Sequence, residues 1–252
     1  MADGLQISPP ASASGAAFEG QGFIVRPRLF AFDEIAWVRD EARIVALRRG
    51  QTGRAPAGQP WTAEAPAGTV DGSHLGETTF RKLAAHPRLI AVARDLLGED
   101  VYIHQSRLIS RFDEASPDIA WRRDFASWSN VDGMAAPRAV TAAIVLGESG
   151  AQTPIMYVAP GSHGGKDVSG GGAAVAVTAP LGSVVFYRAD LAYALNQFAD
   201  RRSSPLFLVS YNAVSNLPVR FARDELYAAR RAALPIVEPD DCMWPASWCA
   251  AG

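Results

Sequence analysis

The feature that most constrains this chain is its second half, a train of short β-rich runs cut by turn formers. "DVYIHQSRLISRF", "AVTAAIVLGE", "PIMYVAP", "GSVVFYRAD" and "SPLFLVSYNAV" are rich in β-branched and aromatic residues, with Gly, Pro, Asp or Ser between them. Segments this short cannot bury a face alone, so they must pair into sheets that pack on each other or on helices. The first half reads differently. "GFIVRPRLF" (22–30) predicts one short strand. "DEIAWVRDEARIVALRRG" (33–50) predicts a helix: Asp33 can cap it, Ile35, Val38, Ala42 and Val45 recur at helical spacing, and Gly50 stops it after Arg48 and Arg49. "TTFRKLAAHPRLIAVARDLLG" predicts one or two short helices, broken at Pro87 and ended by Gly98. Residues 51–76, rich in Gly, Pro, Ala and Thr, read as a long loop of the kind used for lids and binding segments. A last helix is expected near "RDELYAARRAAL". Helices first and many strands after make the class α+β with a sandwich or barrel core.

Composition narrows the function. With 252 residues, 48% of them apolar, the chain fits one soluble domain over residues 18–235, after a flexible leader (1–17) and before a C-terminal tail (236–252). A net charge of −2 makes no electrostatic case for nucleic acid or an anionic membrane. No apolar run of about 18 residues exists to span a bilayer. The leader lacks a basic stretch followed by an apolar one, so it is not a secretory signal, and a cytoplasmic location is expected. Cys242 and Cys249 are too few for a zinc site and read as free thiols. Met243, Trp244 and Trp248 in the same tail pack on their own core or on a partner, which leaves a homodimer open. "SGGGAA" (169–174) is not followed by Gly-Lys-Ser/Thr, so it is no phosphate loop.

Side chains alternate along a strand. On an unbroken strand "VYIHQSRLI" would place Val101, Ile103, Gln105, Arg107 and Ile109 on one face, with Tyr102, His104, Ser106 and Leu108 on the other. Gln105 and Arg107 then read either as a hydrogen-bonded core edge or as the floor of a ligand site. In "AWRRDFASW" the same parity sets Arg122 beside Asp124, with Arg123 opposite. Two donors spaced this way converge on a metal. With Arg in first place the convergence becomes an ion pair, and Arg107 is open to reading as a structural ion-pair partner too, with Asp124 as a candidate acid.

At "VYIHQSR", "WRRDFASWSNVDGM", "PGSH" and "GSVVF" the chain resembles the phytanoyl-CoA dioxygenase family, its ectoine-hydroxylase branch above all, collinearly from about residue 22 to about 214. The resemblance implies a double-stranded β-helix (jelly-roll, cupin-like) core with flanking helices, and iron(II) with 2-oxoglutarate in its mouth. It implies His-x-Asp where this chain has Arg122-Arg123-Asp124, a second His where it has Tyr193, and an Arg for 2-oxoglutarate where it has Ser204, with Arg202 one pleat away. Gln105, Arg107 and Trp128 match positions that contact cosubstrate or substrate in that branch.

An Arg offers a metal no lone pair. Its fixed charge repels a dication by several kcal/mol at about 4 Å, even at an effective dielectric near 20. The expectation drawn from these substitutions is that iron and 2-oxoglutarate are lost, so that no metal or cofactor is used. Asp124, Tyr193 and Arg122 would then be catalytic and Gln105, Arg107, Trp128, Arg202 and Ser204 substrate-binding. The chemistry would be proton transfer on a small molecule in biosynthesis: cyclisation, elimination or isomerisation. Two other readings stay open: a non-catalytic relative that binds a ligand or a partner, and an atypical iron(II)/2-oxoglutarate hydroxylase.

Overall fold

The computed structural model describes residues 13–52, 69–71, 78–109, 121–147, 154–165, 174–195 and 205–219. Helix α1 (Ala13–Gln21) begins inside the stretch expected to be a flexible leader. The reason is Phe18, which is buried in the helix-side core and so anchors the segment. Strand β1 (Phe23–Arg26) follows, then α2 (Phe32–Thr52), which runs past Gly50 because a single helical Gly costs only about 1 kcal/mol. Glu34, not Asp33, satisfies the start of α2: the Ala31 N–H donates to its Oε2 at 2.6 Å. Arg88 then holds the same carboxylate with two bonds of 2.9 Å each. A short strand β2 (Thr69–Asp71) lies within the segment read as loop, where strand pairing overrides a turn-rich composition.

Helices α3 (Thr78–Ala84) and α4 (Pro87–Leu97) break at Pro87 as expected. The residue before that proline, His86, is extended and accepts the Arg88 N–H through Nδ1. Burial foremost, with Arg88 beside it, pulls the His86 imidazole down to about 4, so it stays neutral and able to cap. Gly98 ends α4 in the left-handed conformation.

The remaining elements are β3 (Val101–Ile109), α5 (Asp124–Asp132), β4 (Ala139–Val145), β5 (Met156–Val158), β6 (Val175–Val177), β7 (Val184–Arg188), β8 (Tyr193–Leu195) and β9 (Leu206–Ala213). They form two antiparallel sheets, β1-β7-β4-β9-β3-β2 and β6-β5-β8. Alternation sorts the large sheet into two faces. Val140, Ala142, Ile144, Val184, Phe186, Phe207 and Val209 pack toward the helices, with Ile35, Val38, Phe80, Leu83, Leu89 and Ile90. Ala143, Val145, Val185, Tyr187 and Leu208 face the small sheet and meet Met156, Val158 and Tyr193 there. This is the jelly-roll arrangement of an α+β protein: two facing sheets, with helices over the outer face of the larger.

Strand β3 departs from simple alternation. Its register against β9 shifts between Ile103 and Gln105, leaving His104 as an extra, bulged residue. Val101 and Ile103 therefore face the helices, while Ile109 faces the small sheet. The shared face expected for Val101, Ile103, Gln105, Arg107 and Ile109 does not exist: the bulge flips the strand and sends Gln105, Arg107 and Ile109 inward, away from Val101 and Ile103.

Among the described residues no helix is long and apolar enough to cross a membrane. Gly182 sets the start of β7. Its φ is +79°, and a Cβ there would lie 2.2 Å from the Phe30 carbonyl oxygen. Gly182→Ala should therefore cost about 3 kcal/mol, from left-handed strain plus a backbone clash, read as a lower midpoint in urea unfolding.

Candidate functional site

The inward stretch of β3 faces the start of α5 and the start of β8. Helix α5 is docked there by backbone bonds. Arg122 and Tyr193 exchange N–H···O bonds of 2.8 and 3.0 Å, and the Phe125 N–H donates to the Ala189 carbonyl at 2.9 Å. Arg123 donates to the carbonyls of Asp190 and Ser162, so it clamps the turn that leads into β8. The "PGSH" turn serves the same end: the Ser162 hydroxyl accepts the Ala192 N–H at 2.9 Å, and Asp190 accepts the Gly164 N–H. Asp124 then opens the helix, where the macrodipole favours a carboxylate. Trp128 and Asp132 follow at four-residue spacing, and all three are buried on one helix face.

Asp124 is the hub. Its Oδ1 accepts Arg107 Nη2 at 2.8 Å and the Tyr193 hydroxyl at 2.8 Å. Its Oδ2 accepts the Thr141 hydroxyl at 3.3 Å, and Thr141 in turn bonds Ser210 at 2.8 Å. Arg107 Nη2 also donates to the Tyr193 oxygen at 3.2 Å. Burial, more than the opposing pull of Arg107, lifts the Tyr193 phenol to about 12. Burial works against the charge of Arg107, but Tyr193 and Asp124 outweigh it and keep the guanidinium protonated. Next to this hub the Trp128 indole N–H donates to Gln105 Oε1 at 3.1 Å. His104, on the bulge, stacks edge-on against Trp128 at 4.8 Å and pairs with Asp132 through Nε2 at 3.2 Å. His104 and Gln105 thus reach the same indole, although simple alternation set them on opposite faces.

The structure therefore brings Gln105, Arg107, Asp124, Trp128 and Tyr193 together. It does not make the Arg122–Asp124 pair. Arg122 sits in a one-residue bridge to Tyr193 and Asp124 in a helix, so the two are not neighbours on one strand face. The ion pair goes to Arg107 instead. Arg202 and Ser204 lie outside the described residues. Sequence reasoning missed Thr141, Ser210 and Tyr187, polar residues at inward positions of otherwise apolar strands. That inward parity, in "AVTAAIV", "VVFYR" and "LFLVSYNA", was the signal that could have found them.

A buried polar cluster between the two sheets of a jelly roll is the architecture of the 2-oxoglutarate-dependent oxygenases. The chain belongs to the phytanoyl-CoA dioxygenase family, which its residues 18–194 match. It is 32% identical over 163 residues to the ectoine dioxygenase of Stutzerimonas stutzeri, covering 63% of this chain and 52% of that one. The chain thus spans about half the length of the curated relatives it matches. In three dimensions it resembles EctD from S. alaskensis with 2-oxoglutarate and 5-hydroxyectoine, at 27% identity and a TM-score of 0.69, covering 89% of this chain and 84% of that one. The same protein with bound Fe aligns at 28% identity and a TM-score of 0.68, covering 87% of this chain and 82% of that one.

These relationships correct the expectation of a catalyst that uses neither metal nor 2-oxoglutarate. The named relatives are dioxygenases, and the aligned structures carry iron or 2-oxoglutarate. The structure gives these residues partners of their own: Asp124 already accepts three protein donors, and the Tyr193 hydroxyl, its phenol pushed up to about 12 chiefly by burial, is one of them.

Iron(II) in such sites takes two imidazoles and a carboxylate. The described residues do not fit that set. Among them no three His, Cys, Asp or Glu side chains converge. Asp124 is the one acid at the hub; His86 caps α4, His104 pairs with Asp132, and His163 bonds the Glu19 carbonyl. His74 lies outside the described residues.

The hub makes unequal demands on its members. Arg107→Met strands a buried carboxylate and should cost about 3–5 kcal/mol, whereas Tyr193→Phe removes one bond to a charged group and should cost about 2 kcal/mol. A phenol whose folded value lies above its ordinary 10.0 stabilises the fold fully below pH 10 and loses that contribution as pH rises toward 12. Urea unfolding across that window should show a shallower loss of stability for Tyr193→Phe than for the wild type.

Proposed function

We propose that the chain is a small-molecule hydroxylase of the ectoine-dioxygenase type, dependent on iron and 2-oxoglutarate, with a ligand set that departs from two imidazoles and a carboxylate. The observation that carries this reading is the gathering of Gln105, Arg107, Asp124 and Trp128 between the sheets of a chain 32% identical to an ectoine dioxygenase. Asp124 is the single acid at the hub among the described residues. What the chain's own residues do is bind and orient. Arg107 keeps a fixed positive charge in a low-dielectric setting and commits Nη2 to Asp124 and Tyr193, which leaves the rest of its fork for an anionic oxygen. Trp128, held by Gln105 and His104, offers an indole wall to an apolar or cationic part of a ligand. The preferred ligand class is a small, polar carboxylate.

A second reading has its own support: the three donors on Asp124 make the hub self-sufficient, as suits a relative that binds such a ligand without turning it over. One assay separates the two. Under anaerobic conditions the protein receives iron(II) and 2-oxoglutarate; bound iron is counted, and oxygen and ectoine are then added. The hydroxylase reading expects one iron per chain and ectoine-dependent succinate. Protein that stays iron-free and forms no succinate overturns it. Heat on titrating ectoine alone then supports the binding reading, and no heat rejects it.

A further inference from the structure

Among the described residues at the hub, Tyr187 is the one whose hydroxyl makes no hydrogen bond of full geometry, although it lies beside Tyr193. It stands on β7 with its side chain toward the small sheet, its ring 4.8 Å from that of Tyr193 at an angle of 46°. The residue has no exposed surface, and its hydroxyl meets no hydrogen-bond geometry with any described residue. Burial foremost, then Tyr193 and Asp124 close by, push its phenol well above the ordinary value. A fully buried hydroxyl without a partner costs about 1–3 kcal/mol, and native proteins seldom carry one without a use. A Phe would fill the same volume on this apolar inner face at no such cost. Every other polar side chain of the hub is engaged: Thr141 with Ser210 and Asp124, Tyr193 with Arg107 and Asp124, Gln105 with Trp128.

We propose that Tyr187 is a specificity-determining ligand contact, whose hydroxyl donates to a carboxylate oxygen of the small molecule held by the free part of the Arg107 fork. The charge count favours that chemistry. Arg107 and Asp124 cancel, so the donors left over are neutral O–H and guanidinium N–H groups with no acceptor of their own. A carboxylate supplies acceptors for both. A ligand presenting only donors could meet the Tyr187 oxygen but would leave the guanidinium N–H groups without an acceptor. This inference rests on the small-carboxylate reading above and adds the group that selects the ligand's oxygen.

The test is Tyr187→Phe, with ectoine and 2-oxoglutarate as the probes. Affinities are measured by calorimetry, and unfolding midpoints are measured without ligand. The wild type should bind at least one of the two carboxylates, and the variant should bind it at least about tenfold more weakly, as expected for loss of a bond to a charged acceptor. The ligand-free variant should unfold at the same midpoint or a higher one, because it has lost an unsatisfied hydroxyl. Equal affinity in the two proteins overturns the role of Tyr187 and leaves the proposed function standing. A lower ligand-free midpoint also overturns it, since the hydroxyl then serves the fold itself. Wild-type protein that binds neither carboxylate overturns this inference together with the reading beneath it.

Discussion

One buried carboxylate ties four elements of this fold together. Asp124, at the start of α5, receives Arg107 from β3, Tyr193 from β8 and Thr141 from β4. Those strands belong to both sheets, so the bonds to one side chain join the larger sheet, the smaller sheet and the helix between them. A charge pair in this setting adds little net stability, because desolvation offsets the attraction. Its effect is on arrangement. With Asp124 buried, the fold cannot shift α5 against either sheet without leaving a carboxylate unpaired, which would cost several kcal/mol. The hub is therefore better understood as a device that sets geometry than as a source of stability.

The bulge at His104 makes the hub possible. Without the extra residue, Gln105 and Arg107 would continue on the face of Val101 and Ile103, which packs against the helices. A guanidinium there would lie in an apolar layer with no carboxylate to meet. The bulge turns the strand over between Ile103 and Gln105, and it also sets the His104 ring against Trp128. His104 and Asp132 then support the indole from one side while Gln105 holds its N–H from the other. An indole held at both ends is pre-organised, which would lower the ordering cost of the ligand contact proposed for it.

Membership of the phytanoyl-CoA dioxygenase family and the chemistry at the hub pull in different directions. The family match is to the phytanoyl-CoA dioxygenase family, and EctD, which the chain resembles, is seen with iron and with 2-oxoglutarate. The described residues keep the family's carboxylate but surround it with a guanidinium, a phenol and a hydroxyl. Arg122 bridges Tyr193 through the backbone, and the Tyr193 hydroxyl donates to Asp124.

Much of the architecture was legible in the sequence. The strand-rich second half, the break at Pro87, the stop at Gly98 and the family motifs follow from local rules: β-branched runs, the fixed φ of proline, the freedom of glycine. Gln105, Arg107, Asp124, Trp128 and Tyr193 were likewise visible as residues of interest. Which of them touch was legible only as an open reading, that of Arg107 with Asp124, because the contacts join residues 17, 69 and 86 positions apart. Strand parity was the only tool for that question, and it failed at the two places where the backbone is not an ordinary strand. A bulge at His104 reversed one face, and a helix beginning at Asp124 separated a pair that strand spacing would have joined. The amino-acid sequence by itself determined the kinds of element and the supply of polar groups. Tertiary structure decided that Arg107 rather than Arg122 pairs with Asp124, and that Tyr187 is left without a partner. The physical reason is that ion pairing and burial are settled by where distant strands cross, which no local propensity encodes.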